Sequence, residues 1–250
     1  MQTFWEDDLK VRAYDIDFNN KLKVSSIFNY MQDIASTHAD NLNVGYRQLL
    51  EKELFWVLSW VKLEFNNLPQ FEDRFKIKTW PKGRYKLYAL RDFLLFDNSG
   101  GVFCRIASAW LLINAKSKRI TDLKNLNIEF PYQPDEHALT DLPAKIPVVK
   151  TGGIAFSKKI NYSDIDINRH VNNEKYIEYI LDCYPNEFHE RNRMKSMTVS
   201  FISETKFNDE IQIGLNTSLS ANGLHYLEGI NKGAERLAFQ SLIEWDTEKL

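Results

Sequence analysis

Four stretches in the first half of the chain carry the apolar patterning of strands: Leu54 to Phe65, Phe75 to Trp80, Lys86 to Phe96 and Val102 to Ile113. The last two are joined by Asp97-Asn-Ser-Gly-Gly101, a hairpin turn signal. The second half repeats the scheme with Met197 to Phe207, Glu210 to Ser218, His225 to Ile230 and Glu235 to Trp245. Ahead of each set lies a helical pattern. In the first, Ile27, Phe28, Met31, Ile34 and Ala35 share one face, with Ser25 or Ser26 as the cap. In the second, Tyr176, Ile177, Ile180, Leu181 and Tyr184 do so, Asn172 or Asn173 caps, and Pro185 stops the helix. Each half is thus predicted to be one helix followed by an antiparallel sheet.

Between the halves runs Pro131 to Gly153, with four of the seven prolines and a closing glycine pair, which suits an extended connector better than packed structure. The expected division is residues 1–135, a linker over 136–153, and 154–250. The halves also share sequence. Asp15-Ile-Asp-Phe-Asn-Asn-Lys21 and the residues up to Ala35 lie over Asp164-Ile-Asp-Ile-Asn-Arg-His170 and the residues up to Tyr184, with six of 21 positions identical. A helix with a wide apolar face needs a sheet to cover it, and two such units pair naturally. The predicted fold class is α+β: two tandem hot-dog domains, each a central helix wrapped by a curled antiparallel sheet.

Composition narrows the field. The 250 residues are 44% apolar, enough for a sizeable core, and no run of eighteen apolar residues offers a membrane span. The opening Met-Gln-Thr-Phe-Trp-Glu-Asp-Asp is acidic where a signal peptide would be basic, so the expected location is cytoplasmic. Cys104 and Cys183 are too few for a disulfide framework and lack metal-ligand spacing; the sequons at Asn161 and Asn216 are then idle. A net charge of −2 without a basic, aromatic-interleaved block argues against nucleic acid as a partner.

The polar turn before the second helix carries the candidate chemistry. Asp164, Asp166 and Asn168 imitate the opening of a calcium loop, but Arg169 stands where that loop needs glycine and Lys175 where it needs the closing glutamate. A lone His170 supplies no zinc set, so no metal and no cofactor is expected. His170 sits beside a carboxylate and a carboxamide, just before a helix N-terminus whose N–H groups favour developing negative charge. The first copy has Lys21 at this place, which assigns the chemistry to the second half. The other histidines, His38, His137, His189 and His225, lack such a polar setting and read as ordinary.

The run Ser163-Asp-Ile-Asp-Ile-Asn-Arg-His-Val-Asn-Asn-Glu-Lys-Tyr176 closely resembles the catalytic segment of acyl-ACP thioesterases, bacterial relatives of the plant fatty-acyl chain terminators. Ser108-Ala-Trp-Leu-Leu-Ile-Asn114 with Lys118-Arg-Ile120 agrees, as does Thr79-Trp80 leading to Arg91-Asp92. The resemblance covers nearly the whole chain and implies hydrolysis of the thioester between a fatty acyl chain and the phosphopantetheine arm of acyl carrier protein. Position by position it implies catalytic roles for Asp166, Asn168 and His170. It also implies one for Glu204, which is expected on the long strand after the helix. The family's Glu-Cys ending reads Glu204-Thr205 here, so a cysteine nucleophile has no thiol at that place.

Attack by water is therefore favoured, with Glu204 and His170 sharing general-base and positioning roles and the order between them open. Asn168 holds substrate or water, and Asp166 orients the site. The N–H groups of Val171, Asn172 and Asn173 are candidates for the oxyanion hole. Cys183, placed on the helix, reads as a small buried filler. The resemblance also gives the first half the role of shaping the acyl pocket. Candidate basic clusters for the acidic carrier are Lys82, Arg84 and Lys86, or Arg191, Arg193 and Lys195. The rival readings are a hot-dog thioesterase for coenzyme A esters, a non-catalytic acyl-binding module and a dehydratase on the same fold. Oligomeric state, a homodimer included, stays open because a tandem pair already supplies two modules.

Overall fold

A computed structural model describes residues 2–126, 130–219 and 223–247. The chain divides into two compact units, Met1–Pro143 and Ala144–Leu250. In the first unit the strands are β1 (Trp5–Lys10), β2 (Leu54–Phe65), β3 (Arg74–Tyr85), β4 (Tyr88–Asp97), β5 (Val102–Asn114) and the short β6 (Ile120–Thr121); its helices are α1 (Val24–Asn41) and α2 (Tyr46–Leu50). The sheet order is β1-β3-β4-β5-β2, with β6 on β5, and every pairing is antiparallel. In the second unit β7 (Ile154–Lys159) precedes α3 (Asn173–Leu181) and α4 (Asn186–Arg191), and then β8 (Asn192–Phe201), β9 (Glu210–Asn216), β10 (Leu224–Asn231) and β11 (Arg236–Thr247) follow. Its order is β7-β9-β10-β11-β8, again antiparallel throughout. Strand for strand this is the order of the first unit.

The cores follow the patterning. Ile27, Phe28 and Met31 of α1 are fully buried, as are Ile77, Phe93, Leu95 and Ile106 of the sheet residues of the same unit. Ile177 and Ile180 of α3 are buried, as are Val199, Ile213 and Phe239 in the second unit. Phe28 to alanine would cost about 3–5 kcal/mol, the usual price of emptying an aromatic site. No helix among the described residues is long and apolar enough to cross a membrane.

Four expectations are corrected. β1 and β7, largely exposed edge strands, were not foreseen, because charged residues break the apolar alternation that marks a half-buried strand. Ser25 and Ser26 lie inside α1, buried, and the N-cap is Lys23; in α3 Asn172 does cap, its carboxamide oxygen accepting from the Glu174 N–H at 3.3 Å. The strand expected to run to Phe207 stops at Phe201, where Ile202 and Ser203 turn both N–H groups onto the Ala238 carbonyl. Finally, the connector is not simply extended and solvated: Ala138, Leu139 and Ile146 are buried. Asp92 and Lys82 hold its start, Asp92 accepting from the Ala138 N–H at 2.8 Å and the Lys82 ammonium donating to the Leu139 carbonyl.

Candidate active site

Two loops of the second unit meet to form the site. The first begins as a short 3-10 turn, Tyr162–Asp164, in which the buried Asp164 carboxylate accepts from the Asn161 N–H at 2.7 Å. Lys158 lies 3.5 Å from the same carboxylate, and the buried Tyr179 ring of α3 faces it, its hydroxyl pKa driven up by burial and by Asp164. The chain then folds on itself, with Ile165 bridged to Val171 and the Asp166 N–H bonded to the His170 carbonyl at 2.8 Å. Arg169, at φ 65°, makes the left-handed step of the reversal. Asp166 braces it from inside, one carboxylate oxygen accepting from the N–H groups of Asn168 at 2.8 Å and His170 at 3.1 Å. The other takes the Asn168 Nδ2 at 3.3 Å.

The second loop, after β8, is pinned at both shoulders of Glu204. Ser203 is tied to β11 through its N–H to Ala238 and its Oγ to the Leu237 carbonyl at 2.8 Å. On the other side the fully buried Thr205 offers its carbonyl to the Val171 N–H at 2.9 Å, which fastens this loop to the first. Between these anchors Glu204 reaches the imidazole: His170 Nε2 lies 2.9 Å from Glu204 Oε2, with the His170 side chain 17% exposed and that of Glu204 45%. The structure therefore places Glu204 in a loop three residues past the strand, not on it. Loop placement serves the geometry, because a carboxylate on a continuous ladder would be fixed by the pleat.

Not every expected role survives. The Val171 N–H is engaged with Thr205 and the Asn172 N–H with the Asp164 carbonyl at 3.0 Å, so neither is free to receive an oxyanion. The Asn173 N–H, first in α3, is the remaining candidate, since the first-turn amides of a helix have no intrahelical acceptor. Asp166 and Asn168 bond to each other and to their own loop; among the described residues neither side chain bonds the imidazole. Thr205 fills the place of the family cysteine with a buried side chain beside Tyr176, whose pKa burial pushes to about 12. Cys183 lies in the turn beyond α3 and not on the helix. Its Sγ donates to the Tyr179 carbonyl at 3.4 Å, and burial lifts its pKa to about 12.

The same loop pair exists in the first unit without the acid–imidazole pair. Asp17 braces Asn19 and Lys21 at 2.9 and 3.0 Å, as Asp166 braces Asn168 and His170. The Leu22 N–H meets the Pro69 carbonyl as Val171 meets Thr205, and Gln70 caps onto Asp73 at 2.8 Å as Lys206 does onto Asp209 at 2.9 Å. Asp15 accepts the Tyr30 hydroxyl at 2.5 Å, the counterpart of Asp164 and Tyr179. On this correspondence Lys21 stands for His170 and Leu68 for Glu204, so both members of the pair are absent from the first unit. Sequence comparison had found only the first exchange, because the second loop shares no motif.

Two polar groupings escaped the sequence reading. Glu174, buried at the start of α3, has its pKa pushed up to about 7 by burial and by Glu178, with Lys175 3.5 Å away. His38 does have a polar setting. It is fully buried on α1, with Nε2 2.9 Å from the Gln2 carbonyl and Nδ1 3.1 Å from Arg91 Nη1. Burial, and then Arg91, pull its pKa down to about 4, so it stays neutral. Arg91 also donates to Thr79 Oγ1, and its carbonyl accepts from Ser108 Oγ at 2.8 Å. The Thr79, Arg91 and Ser108 stretches thus form one polar node of the first unit.

Several known structures share this architecture. An acyl-ACP thioesterase from Bacteroides thetaiotaomicron superposes with a TM-score of 0.86 at 25% identity, covering 97% of this chain and 98% of that one. The 12:0-ACP thioesterase of Umbellularia californica also gives 0.86, at 18% identity and 98% coverage of each. With a helix and a curled antiparallel sheet twice along one chain, this is a tandem hot-dog protein carrying an acid–imidazole pair in its second module. The acyl-ACP thioesterase N-terminal domain model matches residues 2–128 and the C-terminal domain model residues 154–247; the chain belongs to the acyl-ACP thioesterase family. Relatives include a chloroplastic acyl-[acyl-carrier-protein] hydrolase of Cuphea viscosissima, 28% identical over 85% of this chain and 54% of its own length. A palmitoyl-acyl carrier protein thioesterase of Arabidopsis thaliana is 26% identical over 80% of this chain and 52% of its length. The chain spans about half the length of these curated relatives.

Proposed function

We propose that this chain hydrolyses the thioester between a fatty acyl group and the phosphopantetheine arm of acyl carrier protein, releasing the free fatty acid. The observation that carries the reading is the 2.9 Å contact of His170 Nε2 with Glu204 Oε2, held by two loops that recur in the first unit without either side chain. In this scheme Glu204 accepts a hydrogen bond from Nε2–H, which leaves the lone pair on Nδ1. Nδ1 takes a proton from water as its oxygen attacks the thioester carbonyl, while Glu204 orients the ring and stabilises the imidazolium. The Asn173 N–H and the positive end of α3 stabilise the oxyanion. The tetrahedral intermediate then expels the carrier thiolate, which recovers the proton from His170. With its amide nitrogen held by Asp166, Asn168 presents its carbonyl oxygen to the water.

The test is thiol release by the purified protein from a series of acyl-carrier proteins and the matching coenzyme A esters. Faster release from the carrier thioesters supports the reading. Release from coenzyme A esters alone would replace it, and no release from either, with acyl binding retained, would remove catalysis altogether.

A further inference from the structure

Of the six cations in the candidate basic clusters of the sequence, four are already engaged with carboxylates, Lys86 and Arg191 being the exceptions. Lys82 is buried against Asp92 at 3.1 Å, Arg84 pairs with Asp122 at 2.6 Å, and Arg193 and Lys195 share Asp246 at 3.1 and 3.5 Å. Two cations without an ion-pair partner among the described residues stand on the loops of the site itself. Arg169 and Lys206 are both exposed, and among the described residues neither side chain has a hydrogen-bond or ion-pair partner. Arg169 is the chain neighbour of His170, and Lys206 lies two residues beyond Glu204, so one cation stands on each of the two loops that form the pair.

Their counterparts in the first unit are informative. Arg169 corresponds to Asn20, and both are left-handed, at φ 65° and 60°. Asparagine tolerates that conformation better than a long side chain does. The working loop therefore accepts backbone strain to carry a cation where the silent loop uses a residue suited to the turn. Lys206 likewise corresponds to the neutral Gln70. The same two loops expose Ile167, Ile202 and Phe207, by 75%, 50% and 56%. The first unit also exposes Phe18 and Phe71 beside its loops, so the apolar rim is common to both units, whereas the positions of Arg169 and Lys206 are charged only in the second, the first unit's loop cation being Lys21 in the place of His170. Exposed apolar side chains bordered by arginine and lysine are what a docking surface for an acidic protein requires.

We propose that Arg169 and Lys206, with Ile167, Ile202 and Phe207, form the surface on which the acidic acyl carrier protein docks to deliver its acyl-phosphopantetheine arm. This rests on the function proposed above. The experiment compares wild type with Arg169→Asn, Lys206→Gln and the double variant, each substitution taken from the equivalent position of the first unit so that the loop backbone is preserved. Three substrates are used: an acyl-carrier protein, the same acyl group on coenzyme A, and on N-acetylcysteamine, which has neither carrier nor phosphate. For the double variant kcat/KM on the carrier substrate should fall about tenfold or more, mostly in KM, and its dependence on ionic strength should flatten. Arg169→Lys should recover most of the loss. Turnover of the N-acetylcysteamine ester should be unchanged. An equal fall on all three substrates would make these side chains loop supports and overturn docking. So would a fall shared by the carrier and coenzyme A esters, which would assign the cations to the arm's phosphate. No change on the carrier substrate would overturn it too. A wild-type protein inert toward every thioester would remove the proposed function itself, an outcome distinct from these.

Discussion

The proposed scheme divides the labour between His170 and Glu204 in a way that substitution can read. His170→Ala removes the proton acceptor and should lower kcat by about 10²-fold or more. If Glu204 orients the ring, Glu204→Gln keeps an oxygen that accepts the Nε2–H bond and should retain far more activity than Glu204→Ala. Equal inactivity of the two Glu204 variants in a steady-state thiol-release assay would instead make the carboxylate the base. Cys183 provides the companion test. Its thiol, bonded to the Tyr179 carbonyl and with its pKa pushed up to about 12 by burial, is a poor nucleophile near neutrality. Cys183→Ala should keep activity within about twofold of wild type, there being no catalytic contribution for it to remove. A folded but inactive Cys183 variant would overturn attack by water.

At the level of elements, the Lys82–Asp92 pair shows how a loop segment becomes part of a domain. Lys82 is the extra residue at the β-bulge of β3, where the register to β4 shifts between Pro81 and Gly83. Both charges are nearly inaccessible, 6% and 1% exposed, and together they bind the backbone of Ala138 and Leu139. Asp92→Ala would strand a buried ammonium and should cost about 3–5 kcal/mol in denaturant unfolding, most of it recovered in Asp92→Ala/Lys82→Met. A cost below about 1 kcal/mol would mean the latch is dispensable. Such a latch is invisible to periodicity, which is why Pro131 to Gly153 read as connector. Patterning did locate α1, α3 and the long strands, because their apolar faces follow the helix and strand periods. It overran β8, since Ile202 and Phe207 prolong the apolar run although the backbone has left the ladder, and both are exposed. It found His170 through a local motif, whereas Glu204 and its partnership with His170 needed the family resemblance, and the fold added the 2.9 Å contact between them. His38 and Arg91 lie far apart in sequence and could be joined only in three dimensions.

At the scale of the whole chain, the two units share strand order, loop braces and left-handed turn residues, down to Glu72 and Asn208, both at φ 70°. What separates them is confined to a few side chains on a conserved scaffold. The braces made by Asp17 and Asp166 are the same, so the carboxylate at that position is required by the turn wherever it occurs, and its presence cannot mark the reacting half. In the proposed function that mark falls to the pair His170 and Glu204, because Lys21 and Leu68 replace both members at once. It follows that the reaction should depend on one loop pair only. Lys21→Ala and Leu68→Ala, singly or together, should leave kcat on a small acyl thioester within about threefold of wild type, since neither residue supplies a group for proton transfer, while His170→Ala in parallel loses about 10²-fold. The comparison must read kcat and not stability alone, because Leu68 is half-buried and its truncation can weaken the first unit. A turnover loss for Lys21→Ala as large as that for His170→Ala, in a protein that unfolds at the wild-type temperature, would mean that both loop pairs serve the reaction.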